Sequence, residues 1–191
     1  MRLLIRGGSI AAGVGVSRGY ADILRDWCAP RGIELINKSR KQDNSFDGIW
    51  SFYNDIDPFL PDILMIHFGI DDAYSPVYRS EFKENLVRMV NLARQRFNPR
   101  ILMPTSHPFD DPYEMDAVHI YYRTIREVCQ DLHCEMIPVH TYWAGWCQDR
   151  GIENAKLVQP DVRLPNERGH EIFAEAIVHK IDRFIKEKEV F

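Results

Sequence analysis

A chain of 191 residues with 45% hydrophobic and 27% charged residues has the size and balance of one folded domain, long enough to hide roughly 70% of its unfolded surface. Its net charge of -4 offers no basic footprint to nucleic acid, and no stretch reaches the roughly 20 apolar residues of a membrane span. The first apolar run is broken by Arg6, too short for a signal-peptide core, and Cys28, Cys129, Cys134 and Cys147 show neither zinc-site spacing nor the density of a secreted disulfide scaffold, so the expectation is a cytoplasmic protein with free thiols.

In chain order, residues 3–6 read as a short buried strand followed by the glycine-rich turn Gly7-Gly8-Ser9-Ile10-Ala11-Ala12-Gly13. A first helix is predicted over 15–28, a second strand over 33–37, and a polar, mobile loop over 37–47. The third strand, 62–67, leads into Gly69-Ile70-Asp71-Asp72. Phe82, Leu86, Met89 or Val90, Ala93 and Phe97 then recur at helical spacing. A fourth strand over 100–104, a loop over 104–112, a helix carrying Val118, Tyr122, Ile125, Cys129 and Leu132, a fifth strand over 135–139 and a last helix carrying Phe173, Ile177, Ile181 and Phe184 complete the pattern. Near-continuous apolar strands alternating with helices predict a single α/β domain spanning 1–191, a three-layer sandwich around a five-stranded parallel sheet.

Such a sheet gathers the residues after its strands on one edge: Ser9, Asn37 and Ser39, Gly69 to Asp72, His107 and His140. Ser9 in a glycine turn suits either a nucleophile flanked by backbone N–H groups or a helix cap. Asp71 and Asp72 read as acid/base groups or as solvated loop acids. His67, His107 and His140 are alternative bases or ordinary loop and core histidines. Trp143 and Trp146 form an aromatic wall for a ligand or pin a loop to the sheet. Arg163 and Arg168 flank Asp161 and suit pairing with it. No spacing of His, Cys, Asp or Glu suggests a metal site, and no cofactor is implied.

These blocks together resemble the SGNH (GDSL-type) hydrolases, over the whole chain. Gly8-Ser9 is similar to the first block, Gly-Asp-Ser, with Gly8 in place of its Asp; Asn37-Lys38-Ser39 is similar to the second, with Ser39 in place of its Gly. Asp71 stands where the third block has an oxyanion-donating Asn. In Asp161-Val162-Arg163-Leu164-Pro165-Asn166 followed by Gly169-His170, Leu164 stands where the last block has the catalytic His. The resemblance implies Ser9 as nucleophile, Asp161 as the acid of the last block, and backbone donors at Ser9, Ser39 and Gly69. It implies a small-molecule ester as substrate, and the Gly-Gly-Ser start, similar to a branch found with surface-polysaccharide biosynthesis, implies an acylated carbohydrate.

Two departures bear on activity. Leucine can neither take nor return the serine proton, a role worth on the order of 10²–10⁴-fold. An ionised Asp71 accepts hydrogen bonds and donates none, where loss of one oxyanion donor already costs on the order of 10²–10³ in rate. Three readings follow: a serine-dependent hydrolase or acyltransferase with a non-standard base, Asp71 or a rim histidine; a pseudoenzyme that binds an acylated sugar or a protein partner without turnover; and a serine-independent enzyme using Asp71, Asp72 and a histidine.

Overall fold

The computed structural model of the protein describes residues 1–75 and 77–189. Five strands, β1 (Arg2–Gly7), β2 (Glu34–Asn37), β3 (Ile63–His67), β4 (Arg100–Pro104) and β5 (Glu135–Ile137), form one sheet in the order β2-β1-β3-β4-β5, with every pair parallel. Eight α-helices are described: α1 (Tyr20–Cys28), α2 (Ser45–Trp50), α3 (Phe52–Asp55), α4 (Ile70–Tyr74), α5 (Arg79–Arg96), α6 (Pro112–Asp131), α7 (Val139–Arg150) and α8 (Glu167–Glu189).

The two-residue period of the strands divides the core. Leu3, Ile5, Ile63, Met65 and Leu102 face a layer containing α1, α7 and α8, and pack with Tyr20, Leu24, Trp143, Phe173 and Ile177. Leu4, Leu64, Ile66, Ile101 and Met103 face the opposite layer, with Phe52, Phe82, Leu86, Met89 and Ile125. Both faces are covered, which is why the strands carry continuous apolar runs. The arrangement is the expected three-layer α/β sandwich.

Details differ from the sequence expectation where backbone chemistry intervenes. The first helix begins at Tyr20, five residues later than predicted, because Gly13 (φ 70) and Gly15 (φ 81) lie in the left-handed region that a right-handed helix does not pass through. β5 ends at Ile137, since Pro138 has no N–H to give the ladder and α7 starts at once. Trp143 and Trp146 are therefore helical residues. The 37–47 segment is tied down: Lys38 N–H donates to the Ile5 carbonyl, Arg40 N–H to the Gly7 carbonyl, and α2 has started by Ser45.

Chain direction around the sheet locates the crevice. From β1 the chain moves to β2 on one side and then to β3 on the other, so the order reverses between β1 and β3. At such a switch point the connections diverge and leave a cleft outside the carboxyl ends of the strands.

Candidate active site

Ser9 follows β1 and Asp71 follows β3, and the cleft between those strands brings them into contact. Ser9 Oγ donates to Asp71 Oδ1 at 2.6 Å, and Ser9 N–H donates to Asp71 Oδ2 at 2.7 Å. One carboxylate thus spans both polar groups of the serine. A third group completes the arrangement: the Gln42 N–H donates to Ser9 Oγ at 2.9 Å. Gln42 holds φ 64, a left-handed conformation in which a non-glycine residue is strained. Ser9 is buried, 5% exposed.

Gly8 is required by this packing. A Cβ there would run into Asp71 Oδ2 and the Asp43 carbonyl oxygen, so the carboxylate of Asp71 occupies space that a side chain at position 8 would need. Burial pushes the Asp71 acid above the usual carboxylate range; the two Ser9 hydrogen bonds and the Arg163 charge pull it back, while nearby Asp43 pushes it up again.

Around Ser9 lies a cavity of about 70 Å³ with walls of two kinds. Val14, Ile70 and Leu164 are apolar, whereas Lys41, Gln42, Asp71, Asp161 and Arg163 are polar, and Tyr74 presents both characters. The Arg163 guanidinium forks onto both oxygens of Asp161 at 2.7 and 2.6 Å and lies 4.8 Å from the centre of the Tyr74 ring. Hydrogen bonds from Arg163 hold the Asp161 acid below the usual carboxylate range. Asp161 therefore serves Arg163, the pairing expected from the sequence.

The candidate bases lie elsewhere. His67, at the end of β3, is bound through Nδ1 to the Tyr20 hydroxyl at 2.8 Å, and burial pulls its pKa down to about 3. His107 is fully buried, with Nε2 2.9 Å from the Val162 carbonyl and Nδ1 3.1 Å from Ser106 Oγ; burial takes its pKa to about 4. It holds the 161–164 loop from behind. His140 contacts Thr105 Oγ1 at 2.8 Å and stacks on Tyr122. His170 accepts from Tyr20 N–H through Nδ1 at 3.2 Å. Among the described residues no imidazole lines the Ser9 cavity.

Several other expected residues also have different partners. The Ser39 N–H donates to Asn37 Oδ1 at 3.0 Å, so the backbone donor that reaches Ser9 Oγ is three residues further along, at Gln42. The Gly69 N–H donates to Asp72 Oδ2 at 2.9 Å. Asp72 is fully buried and also accepts from Ser45 N–H at 2.9 Å; burial raises its pKa to about 6. Trp143 is buried with its Nε1–H donated to Asn154 Oδ1, and Trp146 packs between Arg150 and Arg168; neither reaches the cavity.

Val14, Lys41, Gln42, Ile70 and Tyr74 were not marked as site residues by the sequence. A usable signal existed for Gln42: Asn44 and Asp47 form a capping box that fixes the start of α2 and leaves the residues just before it as a tight turn.

No curated protein matches the chain. Among solved structures, LAE5, an α/β hydrolase enzyme from the metagenome of Lake Arreo, Spain, superposes with a TM-score of 0.80 at 19% identity, over 93% of each chain. Axe2, an acetylxylan esterase from Geobacillus stearothermophilus, does so at 0.80 and 21%, over 94% of this chain and 93% of its own. The lipase/acylhydrolase from Enterococcus faecalis gives 0.76 and 21%, over 95% of each. These show a shared fold. The model of the GDSL-like Lipase/Acylhydrolase family matches residues 6–172, from the end of β1 into α8 and across all the blocks described above, and the chain belongs to that family.

Proposed function

We propose that the Ser9 cavity binds an acylated small molecule, an acylated carbohydrate being the class that best fits, and that it does not turn esters over by the serine–histidine route of its family. One observation carries this reading: Asp71 accepts from both the N–H and the hydroxyl of Ser9. The N–H that would stabilise a developing oxyanion is engaged by a carboxylate, and a substrate oxyanion at that point would meet negative charge. Leu164 adds an apolar surface where a base would stand. With proton acceptor and oxyanion donor both changed, little of the triad's advantage survives. The acetylxylan esterase activity of Axe2 supports the choice of ligand class, and the mixed walls of the cavity suit an acyl group on a polyhydroxylated carrier. We place the protein, as a proposal, in the cytoplasm, since its four cysteines have neither zinc-site nor disulfide-scaffold spacing.

A second reading has its own observation. Ser9 Oγ lies 2.6 Å from Asp71 Oδ1, and an acid raised by burial is a better base than an exposed one. A slow serine–aspartate hydrolase would use that contact. A fluorophosphonate probe and calorimetric titration with acetylated xylo-oligosaccharides separate the two. The binding reading expects no adduct on Ser9 and an affinity for the sugar that is insensitive to Ser9→Ala. Stoichiometric labelling of Ser9 would establish the dyad and overturn it.

A further inference from the structure

Arg6 is the next-to-last residue of β1 and has no exposed surface, directly after the aliphatic run Leu3-Leu4-Ile5. Burying a guanidinium costs several kcal/mol even after relaxation, and apolar residues of similar volume are often as stable or better, so a charge retained there calls for a role. Its partners all lie on or beside the segment that delivers Gln42. Nη2 donates to Asp43 Oδ2 at 2.5 Å and to Ser51 Oγ at 3.0 Å, Nη1 donates to the Gly7 carbonyl at 3.0 Å, and Nε lies 3.6 Å from Asp55. Asp55 in turn takes both nitrogens of Arg40, at 2.6 and 2.8 Å. The carbon of the guanidinium is 5.5 Å from the centre of the Phe68 ring.

This network grips the loop on either side of Gln42. Arg40 is fixed through Asp55 and through its own N–H on the Gly7 carbonyl; Asp43 is fixed through Arg6 and through its N–H on the Arg40 carbonyl. Between these two anchors Gln42 takes the left-handed conformation that turns its N–H onto Ser9 Oγ. Strained backbone of that kind persists only where its surroundings over-determine it.

We propose that Arg6 and Asp43 are positioning residues, a part-buried ion pair whose role is to hold the Gln42 N–H on Ser9 Oγ. The inference concerns how the site is held, and it stands whether Ser9 binds a ligand or attacks one. From β1, the arginine joins the loop to the strand that leads directly into Ser9, so donor and hydroxyl share one rigid reference.

Amide hydrogen exchange read residue by residue tests this on the full chain without a ligand. In Asp43→Ala, with Arg6 still facing Asp55 and Ser51, the Gln42 amide is expected to exchange about tenfold faster or more, while Leu4, Ile5 and Met65 in the sheet keep their protection. Asp43→Glu, which retains the charge, should restore part of the Gln42 protection. Unchanged Gln42 exchange in a folded Asp43→Ala protein would overturn the proposal, and so would a parallel loss across the strands, which indicates a general structural role. Should Asp43→Ala fail to fold, Asp43→Asn preserves the shape and removes the charge: faster exchange confined to Gln42 and its neighbours supports the proposal, and wild-type exchange there rejects it.

Discussion

At position 8 this chain has no side chain, where the first block of its family has an aspartate, and position 71 has an aspartate where the third block has an asparagine. The structure connects the two differences, because a Cβ on residue 8 would overlap Asp71 Oδ2. An acid at 71 folded onto Ser9 and any side chain at 8 exclude each other in this conformation. Gly8→Ala should therefore destabilise the protein by about 1–3 kcal/mol, since a backbone carbonyl as well as a carboxylate must give way, measurable by urea unfolding. The same residues define a gain-of-function test. Leu164→His with Asp71→Asn restores a base and an oxyanion donor, and hydrolysis of p-nitrophenyl acetate should rise by on the order of 10²-fold or more. The single variants should each fall well short of the pair, because groups that act as a unit are not additive. No rise in the double variant would mean that the cavity has diverged beyond these two positions.

At the scale of elements, Asp72 is the joint behind the site. Its carboxyl accepts from the Gly69 N–H at the start of α4 and from the Ser45 N–H at the start of α2, while Asn85 on α5 donates to Ser45 Oγ at 3.0 Å. Three helices are thereby referred to one buried acid, adjacent in sequence to the acid that holds Ser9. Asp72→Ala leaves two buried N–H groups without acceptors and should cost about 2–4 kcal/mol, read as a lower urea midpoint at unchanged slope. The element pattern was largely legible in the chain because strand and helix periods are local. The short helices α2, α3 and α4 were not, since four to six residues give too few turns to show a period, and neither was α7, whose apolar residues form no stripe at helical spacing so that its tryptophans read as loop residues.

Across the whole molecule, three buried histidines set the acid limit of stability. His67, His107 and His170 cluster around Phe173, and burial lowers their pKa values to about 3, 4 and 4 from 6.5. The folded state keeps them neutral, whereas the unfolded chain protonates them below about 6.5. Stability is thus fully present above that pH and is lost as pH falls toward 4. Asp72 works the other way: its raised acid, about 6, binds a proton in the folded state that the unfolded chain releases. Near pH 5 these four groups take up about two protons on unfolding and His140, also lowered to about 4 by burial, adds about one more, so stability should fall by about 4 kcal/mol per pH unit, and thermal melts from pH 7 to 4.5 would show it. A melting temperature flat over that range would contradict the neutral burial of these imidazoles.

Sequence alone determined the layered α/β architecture, the parallel sheet, the family blocks and the absence of histidine at 164, because each depends on residue type and short-range spacing. Tertiary structure decided how the site is wired. Ser9 meets Asp71 across 62 residues of sequence and Gln42 across 33, contacts set by the order β2-β1-β3 and by the buried Arg6 network, to which no local pattern points. It likewise decided that His67 and His107 turn into the core, since a residue's place after a strand fixes which edge it occupies while packing fixes where its side chain goes.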